Sequence, residues 1–386
     1  MNSEKKTNIY LLINNHRSTI GIQQQIDVIE RVFDKLPQFE LIRSQFLIRN
    51  QINLMIEENN LEFSNAMKEM KASYPKTKFL LFVTEYLTKS IFGYQLNCFD
   101  LKTKLTHAYI DFFSSLNLIN VFSEKCRDQR FQSKFSSEKY ISKLKDFSNL
   151  LFLPPLRLFN DRDSLNNAVQ ITRREHFLKK TRFLYDLVFS NHGAVNDTYK
   201  NFFKSKVVLL PTFIDKKKVA KARYNMEKKH NKKYANGLFF SGRLTSYRKK
   251  VIRKLIRLND GYHGFPFLKY VERIDFLARE KSNTVPLFEL YIKQEKKWLY
   301  SSPMRTLMSI EKGYYPVDMG LFKDNDINNL SIKLFNDYDE DDIIKFLTKK
   351  TPQEYFNFLD EKIINHNDGQ KVILKEIENL LNLILD

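Results

Sequence analysis

Short apolar runs alternate with longer segments of helical spacing along this chain. At 186–210 the strand-like runs Asp186–Ser190 and Val207–Leu210 flank a helix-like stretch, Ala194–Phe203. A strand, a helix and a strand in so short a segment predict a βαβ unit with parallel strands and a right-handed connection. Phe79–Val83 is a continuous apolar run, as expected for a parallel strand covered on both faces. The alternation therefore predicts an α/β fold.

The rest of the first half continues this pattern. Ile9–Ile13 is a short apolar run that predicts a buried first strand, and Phe39–Ile48 is typical of another strand. Between them, Gln23–Leu36 has apolar residues at helical spacing. Residues 107–150 have a mostly helical pattern. These elements predict one doubly wound half.

A second alternating series follows. The apolar run Gly237–Ser241 precedes a helix that begins at about Ser246 and has one apolar face. Leu287–Ile292 and Tyr314–Val317 predict two more strands. The series therefore predicts a second doubly wound half.

Helix boundaries in this second half have recognisable signals. Ser302 is a suitable N-cap for a helix that opens at Pro303, and Gly313 is a suitable terminator. Residues 351–354, Thr-Pro-Gln-Glu, form a capping-box pattern that predicts another helix start. A last amphipathic helix is predicted at Gln370–Leu385.

The length of 386 residues exceeds one ordinary core. We predict Rossmann-like domains at 1–215 and 237–350, a basic linker at 216–236, and C-terminal helices at 351–386, for which packing against the first domain is one arrangement. The expected fold class is α/β, with two Rossmann-like domains facing each other across a cleft. Ligands of such sheets bind beyond the carboxyl ends of the strands, so residues that follow strands are the candidates for chemistry.

Some classes of protein are not expected. No stretch reaches the roughly 18 apolar residues of a membrane-spanning helix, and the start lacks a secretory signal, so a cytoplasmic protein is expected. Cys98 and Cys126 lack the spacing of a zinc site, which predicts reduced packing residues. The sequence contains no phosphate-binding loop of the NTPase type, no dinucleotide fingerprint, no zinc-protease helix and no serine-hydrolase elbow.

The chain carries a formal net charge of +19, which predicts an acidic partner. Basic residues cluster at 216–233 and 248–257. Nucleic acid, an anionic membrane surface and phosphorylated substrates all satisfy this charge. A basic nucleic-acid-binding protein is therefore one alternative, but most aromatic residues fall in apolar runs and read as core, so we predict no nucleic-acid partner.

Three segments resemble a known family. Residues 185–215 look like the end of the amino-terminal domain in nucleotide-sugar glycosyltransferases of the GT-B fold, and 236–255 are similar to the first strand, loop and helix of their donor-binding domain. Residues 300–317 resemble the arginine, helix, glycine and proline-valine pattern of inverting exostosin-like and fucosyltransferase-like members. The order and spacing of the segments carry the resemblance, which covers under a quarter of the chain.

The resemblance implies a donor site in the second domain. A nucleotide-sugar leaves as a nucleoside phosphate, so the site must stabilise negative charge with arginines and helix amino-termini. The residues assigned to this donor site are Gly242, Arg243, Arg248, Lys249, Ser302, Arg305 and Glu311. Arg248 falls where the wider family has a phosphate-binding lysine, with Lys249 as an adjacent substitute.

The implied reaction is transfer with inversion. Retaining members carry two glutamates where this chain has Tyr300 and Met308, which weakens a retaining assignment. Inversion requires a general base for the acceptor hydroxyl, and the first domain should supply it. Three residues that follow predicted strands are candidates, and none is preferred: Glu85, His16 and His192.

We expect no essential metal and no other cofactor. The D-x-D triplets Asp161–Asp163 and Asp324–Asp326 do not follow buried strands, and GT-B enzymes generally work without a bound metal. The expected partners are a nucleotide-sugar donor and a glycan or lipid-linked saccharide acceptor, in bacterial surface polysaccharide or lipopolysaccharide synthesis. The basic segment 216–233 has two interpretations: a solvated connector, which the charge run alone favours, or a patch in peripheral contact with an anionic membrane. UDP-, GDP- and CMP-linked donors such as CMP-Kdo remain open, as does a catalytically inactive homologue.

Overall fold

A computed structural model describes residues 6–13, 20–57, 61–84, 88–90, 93–95, 101–119, 121, 162–191, 196–242, 244–259, 267–271, 282–292, 303–319, 327–334 and 347–385. Helices and strands are numbered over these residues. The chain forms two separate parallel sheets, and each has helices packed against it.

The first sheet has six strands in the order β2-β1-β3-β4-β7-β8, and all of its pairs are parallel. Its strands are β1 (Thr7–Leu12), β2 (Phe39–Ser44), β3 (Ile52–Ile56), β4 (Lys78–Val83), β7 (Leu187–Ser190) and β8 (Lys206–Leu209). A small antiparallel pair, β5 (Thr88–Ser90) and β6 (Gly93–Gln95), stands apart. The βαβ unit predicted at 186–210 is present as β7, helix α5 (Asn196–Phe202) and β8.

Helices cover the first sheet because its strands are apolar on both faces. Helix α1 (Ile20–Phe33) packs Ile26, Ile29 and Val32 against one face. The opposite face meets helix α4 (Arg162–Thr181) and α5 through Phe177 and Phe202. The remaining helices of this half are α2 (Leu61–Ser73) and α3 (Leu101–Ser115), and α3 lies along α4.

Polar pairs join α3 to α4. The His176 Nε2 lies 2.7 Å from Asp111 Oδ1, and this hydrogen bond is the main cause that lowers the pKa of Asp111. A second pair, fully buried, places His107 Nε2 at 3.2 Å from Glu175 Oε2. The pattern predicted helix over 107–150, and the described part of that range is helical up to Ser115.

The second sheet has five strands in the order β10-β9-β11-β12-β13, again all parallel. They are β9 (Lys233–Ser241), β10 (Phe267–Val271), β11 (Thr284–Ile292), β12 (Tyr315–Met319) and β13 (Ile332–Leu334). Helix α7 (Ser246–Asn259) follows β9, and helix α8 (Pro303–Glu311) leads into β12. Helix α8 ends at Glu311, and Gly313 follows two residues later with φ +87°, as the predicted terminator requires.

The segment predicted as a linker is helical over much of its length. Helix α6 (Lys216–Tyr224) begins at Asp215, whose side chain accepts hydrogen bonds from the backbone N–H groups of Lys217 and Lys218. A π-helical turn, Asn225–Lys229, continues it. The helix forms because Asp215 caps it and Val219 and Met226 give it a buried side, which the abundant lysines obscure in the sequence.

One helix, α9 (Pro352–Leu385), replaces the two helices predicted at the C-terminus. It starts at the predicted capping box, since Thr351 N donates to Glu354 Oε2 and Glu354 N donates to Thr351 Oγ1. It then passes through Gly369, where nothing lies within 4 Å of an added Cβ. A glycine in this open position lowers helix propensity without breaking the helix.

Helix α9 also contacts the end of the first half. Gln370 Oε1 accepts from Thr212 N, and the Asn367 side chain bonds both the N–H and the C=O of Ile214. A second connection between the two halves is the ion pair of Arg31 on α1 with Glu311 on α8. The division of the chain into domains at 215 and 237 stays a prediction.

The predicted α/β class with two Rossmann-like parallel sheets is confirmed. In both sheets the second strand along the chain pairs with one side of the first strand, and the third strand pairs with the other side of the first. Over the described residues, every helix is either too short or too polar to cross a lipid bilayer.

Candidate functional site

The strand order of the second sheet marks one position where a ligand is expected. The chain leaves β9 towards β10 on one side and then returns to β11 on the other, so the direction of winding switches between β9 and β11. Connections diverge at such a point and leave a crevice beyond the carboxyl ends of the two strands. Here those ends are Ser241 and Ile292.

Two predicted donor-site residues meet at this point. Gly242 follows β9 with φ +113°, and Arg305 lies in the first turn of α8. Arg305 Nη2 donates a hydrogen bond of 3.0 Å to the Ser241 carbonyl. A Cβ at residue 242 would lie 1.9 Å from that same nitrogen. The backbone conformation therefore favours glycine here, and an added Cβ would displace the guanidinium that packs against it.

Besides the Arg305 guanidinium, the amino-terminus of helix α8 also favours the binding of an anion. Its first backbone N–H groups have no partners within the helix, and its dipole places partial positive charge at the end where Arg305 lies. The Arg305 side chain is partly exposed, and its Cζ lies 5.8 Å from the Tyr291 ring centroid. A fixed guanidinium beside a helix amino-terminus is suited to a phosphate group.

Arg248 and Lys249 are neighbours in sequence, but their side chains lie in different environments. Arg248 is buried, and its Nε donates a hydrogen bond of 2.9 Å to the Ile292 carbonyl at the end of β11. Its Cζ lies 5.4 Å from the Phe240 ring centroid. Lys249 is exposed. Arg248 thus holds the end of β11 beside the switch point, while Lys249 faces solvent.

Glu311 is engaged elsewhere. Both of its carboxylate oxygens accept hydrogen bonds from the Arg31 guanidinium, and Oε1 also accepts from Asp215 N at 3.2 Å. Arg31 in turn donates to the Phe213 carbonyl. In this structure the carboxylate joins the two halves, at the opposite end of α8 from Arg305.

The other predicted site residues lie outside the described residues. These are Arg243 and Ser302 of the donor site and the three base candidates Glu85, His16 and His192. In the sequence the base candidates follow β4, β1 and β7, which all belong to the first sheet. Residues Tyr300, Asp161 and 324–326 also lie outside the description. Over the described residues, no group of three or more His, Cys, Asp or Glu is placed to hold a metal.

A buried polar layer lies next to Gly242, and no motif in the sequence predicts it. In register, Glu289 pairs with Phe239 and Tyr291 pairs with Asp318, so alternation puts Ser241, Glu289, Tyr291 and Asp318 on one face of the sheet. All four are buried, and the Tyr291 hydroxyl donates to the Arg305 carbonyl. The available signal was a single acidic residue inside the apolar run Leu287–Ile292.

A second missed cluster lies at the carboxyl edge of the first sheet. Glu57 directly follows β3 and forms a two-pronged ion pair with the fully buried Arg174 of α4, whose Nη2 also donates to the Tyr199 hydroxyl at 3.2 Å. Glu57 Oε2 lies 3.4 Å from Thr84 N, after β4. Neither residue stands out in the sequence, because they are far apart and belong to no motif.

Comparisons with known proteins do not assign this chain to a family. The chain matches no family model and no curated protein. Among solved structures it is similar to α,α-trehalose 6-phosphate synthase from Burkholderia multivorans, with a TM-score of 0.37 and 9% sequence identity over 97% of this chain and 99% of that chain.

Proposed function

We propose that this protein is a glycosyltransferase that moves a sugar from a nucleotide-sugar donor to a glycan or lipid-linked saccharide acceptor. One observation carries the proposal: Arg305, at the amino-terminus of α8, is fixed against Gly242 at the switch point of the second sheet. That position offers a positive charge, and N–H groups that have no partner within the helix, where a ligand is expected. The segments resembling glycosyltransferases contribute both residues.

The proposed reaction is a single displacement with inversion. The acceptor hydroxyl oxygen forms a bond to the anomeric carbon as the bond from that carbon to the donor phosphate oxygen breaks. The electron pair leaves with the nucleoside phosphate, and the hydroxyl proton passes to a general base. Arg305 and the α8 amino-terminus stabilise the charge that grows on the leaving oxygen.

The other site residues take roles that follow from their positions. Arg243 and Ser302 flank the Gly242–Arg305 contact in sequence and are proposed to complete the phosphate site. Arg248 positions the end of β11. Lys249 is exposed, and we propose that it meets the outer part of the donor. Glu85, His16 and His192 remain equal candidates for the base. No metal is required, because the arginine and the helix terminus supply the positive charge.

The donor class is tested by thermal stabilisation. UDP, GDP, CMP and their sugar conjugates are added one at a time, and the unfolding temperature is measured. A ligand at about 100 times its Kd stabilises the folded state by about 2.7 kcal/mol, so one nucleotide should give a clear shift. Stabilisation by oligonucleotides with strong salt dependence, and by no nucleotide, would instead indicate a nucleic-acid-binding protein.

We further propose that the acceptor is a bacterial surface polysaccharide or lipopolysaccharide precursor and that α6 holds the protein against an anionic membrane. The outer side of 216–229 carries exposed lysines, while its inner side is buried through Val219 and Met226. The exposed set is Lys216, Lys217, Lys218, Lys221, Lys228 and Lys229. Each basic residue near an anionic surface contributes about 1 kcal/mol.

Vesicle sedimentation tests the membrane proposal. We expect binding to phosphatidylglycerol vesicles, weak binding to phosphatidylcholine vesicles, and a loss of at least roughly tenfold when Lys216, Lys217, Lys218 and Lys221 are changed to Gln. The control changes four other exposed lysines to Gln: Lys179, Lys180, Lys349 and Lys350. Equal losses in both variants would show that net charge, and not α6, determines binding.

A further inference from the structure

A buried glutamate lies beneath the Gly242–Arg305 contact. Glu289 is 1% exposed, and its Oε1 accepts a hydrogen bond from the Ser241 hydroxyl. Its Oε2 makes no hydrogen bond of good geometry in the part of the chain that the structure describes, and the Ser309 hydroxyl interacts with the carboxyl only weakly. Burial with an unsatisfied oxygen costs a carboxylate far more than it costs the neutral acid.

The groups around Glu289 come from four elements. Arg305 and Ser309 face it from α8, Ser241 from β9, Tyr291 from its own strand, and Asp318 from β12 beside Tyr291. Burial raises the pKa of Glu289, while the hydroxyls of Ser241 and Ser309 and the Arg305 charge oppose this rise. The balance favours the neutral acid to higher pH than for an ordinary glutamate.

Ser241 connects Glu289 to the anion site. Its hydroxyl donates to Glu289, and its carbonyl accepts from Arg305 Nη2 at 3.0 Å. The protonation of Glu289 therefore affects Arg305 in two ways, through this shared residue and through its charge. An ionised Glu289 would attract the guanidinium and cancel part of the positive charge that an anion needs.

We propose that Glu289 is a positioning residue that sets how strongly Arg305 holds the anionic group of the donor. This inference rests on the proposed phosphate site. As a neutral acid, Glu289 holds Ser241 in place and leaves the guanidinium charge to the anion. As a carboxylate it competes with the anion, so binding weakens as pH rises and is accompanied by proton uptake.

The test uses inorganic pyrophosphate, the anion common to nucleoside diphosphates. Its Kd is measured from about pH 5 to about pH 9 by calorimetry, for the wild type and for Glu289→Gln, in two buffers of different ionisation enthalpy. The wild type should weaken roughly tenfold more than the variant over this range, which corresponds to one unit of pKa coupling. Pyrophosphate's own ionisation is common to both proteins and cancels in the comparison.

Two further variants sharpen the test. Glu175→Gln makes the same change at a buried glutamate of α4 and should keep the wild-type dependence. Ser241→Ala removes a hydroxyl that stabilises the carboxylate, so weakening should begin at higher pH than in the wild type. Ser241→Ala keeps the proposal testable if Glu289→Gln fails to fold.

The outcomes are distinguishable. If the wild type does not bind pyrophosphate, both the phosphate site and this inference are overturned. If it binds and Glu289→Gln has the same pH dependence, only the role of Glu289 is overturned. Loss of binding in a folded Glu289→Gln also overturns it, because the amide keeps the neutral state to which binding is assigned.

Discussion

Arg305→Ala is expected to reduce sugar transfer by about 10²- to 10³-fold while leaving the protein folded. This magnitude is typical when one fixed donor to a developing negative charge is removed. Folding should persist because the guanidinium is partly exposed, and its described side-chain hydrogen bond reaches only the Ser241 carbonyl. Turnover is measured with the nucleotide-sugar selected by thermal stabilisation, and unfolding temperature is measured in parallel.

Two matched variants show whether the loss depends on the net charge or on the position of the Arg305 guanidinium. Arg253→Ala removes an exposed arginine from α7 and should leave turnover unchanged, which controls for net charge. Gly242→Ala keeps Arg305 but places a Cβ 1.9 Å from its Nη2, so the guanidinium must move and turnover should also fall. Wild-type activity in Arg305→Ala would remove the assigned phosphate role. Wild-type activity in Gly242→Ala would show that the position of the guanidinium is unimportant.

The sequence identifies elements best where local signals are strong. Phe79–Val83 and Leu287–Ile292 lie within strands because continuous apolar runs fit parallel strands covered on both faces. Strand β3 was missed because Asn53 interrupts its apolar run. That side chain bonds the N–H and C=O of Ile48, so a buried polar residue closes the turn before the strand. Such a partner is not visible in the sequence.

The residues of the candidate site also differ in whether a local sequence signal indicates them. Gly242 and Arg305 can be proposed from the sequence because each follows a local rule: a glycine after a strand, and an arginine in the first turn of a helix that opens with proline. Glu289 depends on register instead, since its alignment with Phe239 places it on the same face as Ser241. Glu57 and Arg174 are 117 positions apart, and only the packing of α4 against the sheet brings them together. Long-range pairs of this kind leave no periodic signal.

Breaking the buried ion pair of Glu57 with Arg174 should cost a large part of the stability of the protein. Both side chains are at most 3% exposed. Burial opposes the Arg174 charge, but Glu57 and Tyr199 outweigh it and raise the pKa of the guanidinium, so the charged form persists. Removing either partner leaves a charge buried away from water, and Arg174→Met or Glu57→Met should each lower the free energy of unfolding by about 3–5 kcal/mol.

Urea unfolding of a double-mutant cycle tests this pair. Replacing both side chains by methionine removes both buried charges, so Glu57→Met/Arg174→Met should recover much of the stability that either single change loses. The control is Arg43→Met, which breaks a pair with Glu30 whose side chains are 54% and 31% exposed and should cost no more than about 1 kcal/mol. A cost for Arg174→Met no larger than that of the control would mean that the buried pair is solvated. The contact of Glu57 with Thr84 N, which connects the ends of β3 and β4, would then contribute little to stability.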